Sequence, residues 1–207
     1  MKSVSARPLV IGIAGGTASG KTWLATHLAH VLGPRRCIVI AHDRYYRDHP
    51  RLSPAARRKL DYDRPAAFET TLLLKHLREL NAGRSVAAPI YDYATHRRAA
   101  ATTTFAPAPI IIVEGLFVLA DARLRRTFDL KIFVHTPADL RLLRRIRRDT
   151  SERGHALAEV LDRYEHHARP GHEHHVEPSR THADLVWDQP ADATFPSRLL
   201  ARLKKPA

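Results

Sequence analysis

The sequence has one cysteine, few aromatic residues and no long apolar run. The lone Cys37 excludes an intramolecular disulfide framework and favours a reducing compartment. No apolar run reaches the roughly 18 residues that a membrane helix needs. The short apolar stretch near the N-terminus has no signal-peptide cleavage site. Together these absences predict a cytoplasmic protein without a membrane partner.

Acidic residues are also scarce, since 21 Asp and Glu face 34 Lys and Arg and leave a net charge of +13. A positive protein attracts anions, and both nucleic acid and nucleotide phosphates fit that description. Aromatic residues seldom alternate with the basic ones, and no nucleic-acid-binding motif occurs. A nucleotide-dependent nucleic-acid-binding protein therefore stays open as the less favoured alternative.

Apolar runs and helical patterns alternate along the 207 residues, of which 44% are hydrophobic. We expect one α/β domain over residues 1–207, with a five-stranded parallel sheet flanked by helices. The predicted strands are residues 9–14, 37–41, 110–113, 130–134 and 183–187. Two extended stretches, residues 86–93 and 102–105, predict a small antiparallel lobe inserted at about residues 84–107.

The helical patterns cover residues 23–32, 54–60, 68–80, 156–168 and 196–205, with one more helix after Pro137. That helix is rich in arginine. Its Leu140, Leu143 and Ile146 are expected to face the core and to leave five arginines on the remaining faces. A mobile lid is expected over about residues 144–170.

The first strand leads into a glycine-rich loop, Gly15, Gly16, Thr17, Ala18, Ser19, Gly20, Lys21 and Thr22, which fits the phosphate-binding pattern G-x-x-x-x-G-K-[ST]. Glycines let backbone N–H groups curl around phosphate oxygens. Lys21 supplies charge for the β- and γ-phosphates, and Thr22 supplies a hydroxyl for Mg²⁺. The strand–loop–helix context predicts a P-loop kinase fold and supports ATP and Mg²⁺ as the cofactors.

Carboxylates follow two further strands. Asp43 can accept a proton from an attacking hydroxyl. Glu114 follows four apolar residues and is expected to hold Mg²⁺ together with Thr22 and Asp43. For each carboxylate, a helix cap or a salt bridge is the simpler alternative. Beside a phosphate loop, the catalytic interpretation is favoured.

Cations and an acceptor pocket complete the predicted site. Lys21 together with Arg148 and Arg153 is expected to stabilise the transferring phosphoryl group, with Arg145 beside them. Asp63, in a proline-bounded turn, can bind sugar hydroxyls. Spacing alone does not decide whether Tyr91, Tyr93 and His96 contact a base or only pack the small lobe.

The sequence resembles the uridine kinase family (uridine–cytidine kinases), which is related to phosphoribulokinase. The matching segments occur in family order between about residues 9 and 186. They are residues 11–22, 43–46, 62–68, 89–97, 113–115, 144–149, 151–154 and 177–184.

The resemblance implies transfer of the γ-phosphoryl group of ATP to the 5′-hydroxyl of uridine or cytidine in pyrimidine salvage. It makes Asp43 the base and Thr22 and Glu114 the magnesium shell. It assigns Asp63 and Tyr46 to the sugar and Arg145 to the nucleoside. The pyrimidine pocket would consist of Tyr91, Tyr93 and His96. The family is commonly tetrameric, so we expect a homo-oligomer.

Several positions depart from the family pattern. His155 stands where arginine is usual, and Arg163 stands at a nucleoside-contacting position where glutamine is usual. His172 and His175 replace phenylalanines, and residues 187–190 differ from the usual sequence near the adenine. Because guanidinium binds phosphate bidentately, Arg163 keeps a phosphoribulokinase-like acceptor such as a sugar phosphate as an alternative.

Five histidines fall within residues 166–175. Imidazole suits Zn²⁺, but the spacing matches no closed zinc motif and no cysteine is near. A solvated, pH-sensitive surface beside the lid is the favoured interpretation.

Overall fold

The computed structural model describes residues 7–204 of the chain. Lys205, the last residue of the predicted terminal helix, lies outside them. Within residues 7–204, seven strands and eight α-helices follow one another in this order: β1 Leu9–Gly15, α1 Lys21–Leu32, β2 Cys37–Ala41, α2 Pro54–Arg58, α3 Thr70–Asn81, β3 Val86–Asp92, β4 Arg97–Phe105, β5 Ile110–Glu114, α4 Ala122–Arg125, β6 Leu130–His135, α5 Ala138–Ser151, α6 Leu157–Arg163, α7 Arg169–Gly171, β7 Leu185–Asp188 and α8 Phe195–Lys204.

The main sheet has the order β2–β5–β1–β6–β7, and every pair in it is parallel. Side chains of β1 alternate between the two cores. Val10 and Ala14 pack on one face with α3 and the small lobe, whereas Ile11 and Ile13 pack on the other face with α1 and α8. Both faces of the sheet are therefore covered, as the short, continuous apolar runs of the predicted strands indicate. This confirms the predicted fold class.

The predicted antiparallel lobe is the β3–β4 pair. Strand β4 starts at Arg97 rather than at residue 102, because Arg97 and Arg98 already pair with Asp92 and Tyr91. Their guanidinium groups bind Asp48 and Glu69 at 2.6 and 2.7 Å. The ion pair with Asp48 attaches the lobe to the loop after β2, and the one with Glu69 attaches it to the residue before α3, so the lobe lies over the edge where β2 ends.

The prediction for the arginine helix α5 was wrong about its buried face. Arg141, Arg145 and Asp149 are buried, whereas Leu143 is 51% exposed. The buried face of α5 covers the phosphate loop and the polar cavity beside it, not an apolar core. The face of α5 that its leucines and isoleucine predict to be buried is thus not the face that the structure buries most deeply.

The prediction that the following helix ends at residue 168 was also wrong. Helical backbone continues from α6 through two wide turns, Tyr164–Ala168 and His172–Val176, and through Glu177–His182. Pro170 lies inside this continuous helical segment, where it cannot donate a backbone hydrogen bond. The wide turns keep the chain helical on both sides of the proline. This long segment runs along the acceptor side of the molecule.

No helix within residues 7–204 is both long and apolar enough to cross a bilayer. A short helix that the sequence patterns did not predict, α4, begins at Ala122, directly after Asp121. The Asp121 carboxylate accepts the backbone N–H of Arg123 at 2.8 Å, which is an ordinary N-cap.

Candidate active site

The phosphate loop joins β1 to α1. Gly20 adopts a left-handed conformation with φ of 94°, which favours glycine, and a Cβ there would lie 2.8 Å from the Gln189 side chain. The loop is fixed from below, because the Thr136 hydroxyl at the end of β6 donates to the Ser19 carbonyl at 3.0 Å. The free N–H groups at the start of α1 and the glycine-rich backbone form an anion-binding concavity.

A single cavity beside this loop gathers most of the residues predicted for the site. It is lined by Thr17, Lys21, Asp43, Tyr46, Tyr62, Asp63, Tyr91, Tyr93, His96, Leu116, Arg145, Arg148, Asp149, Arg153, His155, Glu159, Val160 and Arg163. Each residue predicted for the acceptor and the lid is in this set. The residues come from seven separate stretches of chain, so the fold and not local sequence brings them together.

Asp43 lies in a short 3₁₀ turn, His42–Tyr45, directly after β2. The Tyr93 hydroxyl donates to its Oδ2 at 3.4 Å, which is a long hydrogen bond. Its Oδ1 is buried and has no hydrogen-bond partner among the described residues. An unpartnered carboxylate oxygen beside a phosphate loop is free to accept a proton or to contact a cation.

Glu114 ends β5, opposite Ile13 of β1 and Ala41 of β2. Burial raises the pKa of Glu114 to about 7, and the nearby Lys21 ammonium offsets part of that rise. Glu114 Oε2 is also buried, and nothing within residues 7–204 makes a hydrogen bond to it. These orphaned carboxylate oxygens and the Thr22 hydroxyl form the oxygen donor set that Mg²⁺ prefers, so the residues present fit that ion.

Aromatic side chains form the far end of the cavity. Tyr62 stacks on His96 with ring centroids 4.8 Å apart and planes within 9°. The ring centroid of Tyr91 lies 4.9 Å from that of Tyr46 and 5.5 Å from that of Tyr93. Burial, with further help from Arg163, lowers the pKa of His96 to about 4, so its ring is neutral at pH 7. A flat, neutral wall of this kind suits a heterocyclic base.

The sequence analysis did not single out Tyr62. Its signal was its place beside Asp63 in the same turn.

The Asp63 turn lies against the long helical segment. A Cβ added to Gly171 would come 2.1 Å from the Asp63 carbonyl oxygen. Only glycine permits this close approach. Burial raises the pKa of Asp63, and the charge of Arg145 counters that rise. The contact between this turn and α7 therefore fixes the position of Asp63 at the cavity.

The lid arginines surround one carboxylate. Asp149 lies 2.8 Å from Arg148, 3.3 Å from Arg153 and 3.4 Å from Arg145. The Arg153 guanidinium also lies 4.7 Å from the centre of the Tyr93 ring. Sequence analysis missed Asp149, although it stands four residues after Arg145 on one helix face.

The two departures at the base end of the cavity are linked. Arg163 Nε lies 3.4 Å from Glu159, and His155 Nδ1 lies 3.5 Å from the same carboxylate. Arg163 also donates to the Arg58 carbonyl at 2.9 Å. The guanidinium is thereby held at the cavity wall by two partners.

A second groove opens on the other side of the phosphate loop. It is lined by Ala18, Gly20, Lys21, Thr22, Trp23, Arg144, Arg148, Glu152, Trp187, Gln189, Pro190, Asp192, Ala193 and Pro196. Residues 187–190, whose sequence differs from the usual family pattern, lie along this groove. Trp23 is 54% exposed and 5.8 Å from Trp187, so the groove offers an open aromatic surface next to the loop.

The five histidines of residues 166–175 do not converge. His166 and His174 contact carbonyls of their own helical segment at 3.0 and 2.7 Å. His175 faces the ring of Phe117 at 6.0 Å. Within residues 7–204, no group of three or more His, Cys, Asp or Glu side chains is arranged to hold a metal ion.

Comparison with known proteins agrees with this geometry. A family model described as the phosphoribulokinase / uridine kinase family matches residues 10–194. A uridine kinase of Staphylococcus carnosus (strain TM300) is 44% identical over 177 residues, which cover 86% of this chain and 85% of that protein. Another from Lactococcus lactis subsp. cremoris (strain MG1363) is 43% identical over 180 residues and covers 87% of each chain.

Phosphoribulokinase from Rhodobacter spheroides shares the fold, with a TM-score of 0.61 at 18% identity over 88% of this chain and 70% of that chain. The resemblance predicted from the ordered motifs is thus confirmed. The chain belongs to the phosphoribulokinase and uridine kinase family.

Proposed function

We propose that the protein transfers the γ-phosphoryl group of ATP to the 5′-hydroxyl of uridine or cytidine. One observation carries the proposal: a single cavity contains the phosphate-loop Lys21, the Asp43 carboxylate, whose Oδ1 has no hydrogen-bond partner among the described residues, and a stacked aromatic end. A nucleoside in this cavity would place its hydroxymethyl group at Asp43 and its base among the aromatic rings. The curated relatives with more than 40% identity bear the name uridine kinase.

The residues divide the chemistry among them. Asp43 accepts the proton of the 5′-hydroxyl as that oxygen attacks the γ-phosphorus in line. Asp63 accepts hydrogen bonds from the ribose hydroxyls, which fixes the sugar. Lys21, Arg148 and Arg153 stabilise the negative charge on the transferring group. When bound, Mg²⁺ would be held by Thr22, Glu114 and Asp43 and would neutralise charge on the phosphates.

The donor base belongs in the second groove. Two cavities border the phosphate loop, and the acceptor occupies the one that contains Asp43. The donor base is left with the second groove, whose lining includes Trp23, Trp187 and Gln189. Stacking on an aromatic surface accepts any base, whereas an amide can distinguish one purine from another.

A sugar-phosphate acceptor is the weaker alternative. It requires a free cation for the additional phosphate, and Arg163 is the residue that suggested it. Glu159 and the Arg58 carbonyl already engage that guanidinium. The neutral His96 beside it also suits a base better than a phosphate.

The remaining expectations are part of the same proposal: one catalytic domain with the β3–β4 lobe over the acceptor, a lid over residues 144–170, a homotetramer and a cytoplasmic location. Light scattering of the purified protein measures the oligomer directly.

A substrate panel tests the proposal. ADP release with ATP and Mg²⁺ is measured with uridine, cytidine, adenosine, ribulose 5-phosphate or no acceptor. We expect release stimulated by uridine or cytidine well above the acceptor-free rate. Stimulation only by ribulose 5-phosphate, or by none of the four, contradicts the proposed acceptor. Asp43→Asn with the best acceptor serves as the control for contaminating kinases.

A further inference from the structure

Asp149 is a buried carboxylate with three cationic neighbours. Its side chain is only 6% exposed, and the guanidinium groups of Arg145, Arg148 and Arg153 all lie within 3.4 Å of it. All four residues line the cavity that also contains Lys21. None of the roles derived above for the reaction uses this carboxylate.

One carboxylate does not satisfy three guanidinium groups. Arg148 makes a hydrogen bond of normal length to Asp149 at 2.8 Å. Arg145 Nε, although 3.4 Å from the carboxylate, has no hydrogen-bond partner among the described residues. The cluster therefore keeps excess positive charge and unused donors at the cavity wall, where a second anion can bind.

The backbone around Asp149 fixes where Arg153 stands. After α5 the chain turns back, because the His155 N–H donates to the Asp149 carbonyl at 3.0 Å. Gly154 allows the turn with φ of 69°. The Arg153 guanidinium then rests between the Asp149 carboxylate and the ring of Tyr93. Since the Tyr93 hydroxyl donates to Asp43, the arginine cluster is connected to the proposed base.

We propose that Asp149 is a positioning residue that assembles Arg145, Arg148 and Arg153 before the phosphoryl group arrives. The inference rests on the proposed phosphoryl transfer and adds to it. Asp149 touches neither substrate. When the triphosphate binds, its γ-oxygens take up the unused guanidinium donors, while the carboxylate keeps the arginine stems in place. Ordered cations cost less reorganisation during the reaction than arginines extended into solvent.

The charge state of Asp149 is consistent with this role. Burial alone raises its pKa, but the Arg148 hydrogen bond and the three neighbouring charges lower the pKa on balance. The carboxylate is therefore ionised throughout the neutral range.

The test is Asp149→Asn, which keeps the shape of the side chain and removes its charge. We expect kcat to fall about 100-fold, the size of effect that misplaced catalytic groups produce, with little change in KM for the nucleoside. We also expect stronger competitive inhibition by inorganic sulfate, because three guanidinium groups lose their counter-charge. A merely structural role predicts a lower melting temperature without tighter sulfate binding.

Asp139→Asn is the matched control, since Asp139 is an exposed carboxylate in the first turn of the same helix. It should leave kcat and sulfate inhibition unchanged. If Asp149→Asn does not fold, Asp149→Glu keeps the charge but shifts it by one methylene, and we expect at least about a tenfold loss of kcat. Wild-type kcat in the variant that folds overturns the inference. Because wild-type turnover is measured first, a failure of the proposed function is recognised separately.

Discussion

Glu114→Gln should stabilise the ligand-free protein at alkaline pH and not at acidic pH. In the folded chain the carboxyl group has a pKa of about 7, against an ordinary value of 4.5. The folded state therefore binds a proton more strongly than the unfolded state. The contribution of protonated Glu114 to the free energy of unfolding of the wild-type protein is fully present below pH 4.5 and is lost as the pH rises through about 7.

The size of the effect follows from that difference. About 2.5 pKa units at 1.36 kcal/mol each give about 3 kcal/mol, which is the cost of ionising Glu114 in the ligand-free folded state. Glutamine does not ionise and avoids this cost. For a chain of this length, 1 kcal/mol moves the melting temperature by about 2–4 °C. Because pH 5 already lies above the ordinary pKa, about 2.5 kcal/mol of this cost develops between pH 5 and pH 8. The advantage of the variant over wild type should therefore grow by about 5–10 °C between those two pH values.

Thermal unfolding of both proteins in the presence of EDTA, followed by circular dichroism at the two pH values, measures this gain. Glu165→Gln corrects for the change of residue type, since Glu165 is exposed on the helical segment after α6. A difference between wild type and Glu114→Gln that is the same at both pH values refutes the reasoning. It would mean that Glu114 is not forced to keep its proton by burial.

Three further outcomes are expected. Asp43→Asn should lower kcat by about 10²–10⁴ and leave ATP binding intact, as measured by quenching of tryptophan fluorescence; substantial retained turnover would remove Asp43 as the base. Gly171→Ala should raise KM for the nucleoside while KM for ATP stays constant, because the new methyl group displaces the Asp63 turn. Leu77→Ala should lower the free energy of unfolding in urea by about 2–5 kcal/mol, whereas Leu161→Ala, at an exposed site, should change it little.

The sequence predicted the parts of the fold that depend on local pattern. The strand predicted at residues 37–41 has those bounds, because five apolar residues there are followed at once by a polar turn. The phosphate loop was equally readable, since its glycines and Lys21 have required positions relative to one another. Apolar runs and loop motifs carry their own physical explanation, so no distant contact is needed to recognise them.

Contacts between distant segments could not be predicted in this way. Tyr62 and His96 stack across the cavity although 34 positions separate them, and nothing in either segment specifies the other. The close approach of Gly171 to Asp63 is similar, since a glycine within a helical stretch reads as a weak point and not as a contact. The wall of the acceptor cavity depends on such pairs.

Helix α5 shows why a count of charges misleads when the fold is unknown. The net charge of +13 kept nucleic acid open as a partner, and five of the arginines behind that charge lie on α5. In the structure Arg145 and Arg148 turn to Asp149, Arg141 lies against Gly16 of the phosphate loop, and Arg144 donates to Gln189 at 3.3 Å. These four side chains line the two cavities or support the loop between them. The basic charge of α5 is therefore concentrated at the phosphate loop and the two cavities beside it, which is the arrangement that the proposed phosphoryl transfer requires.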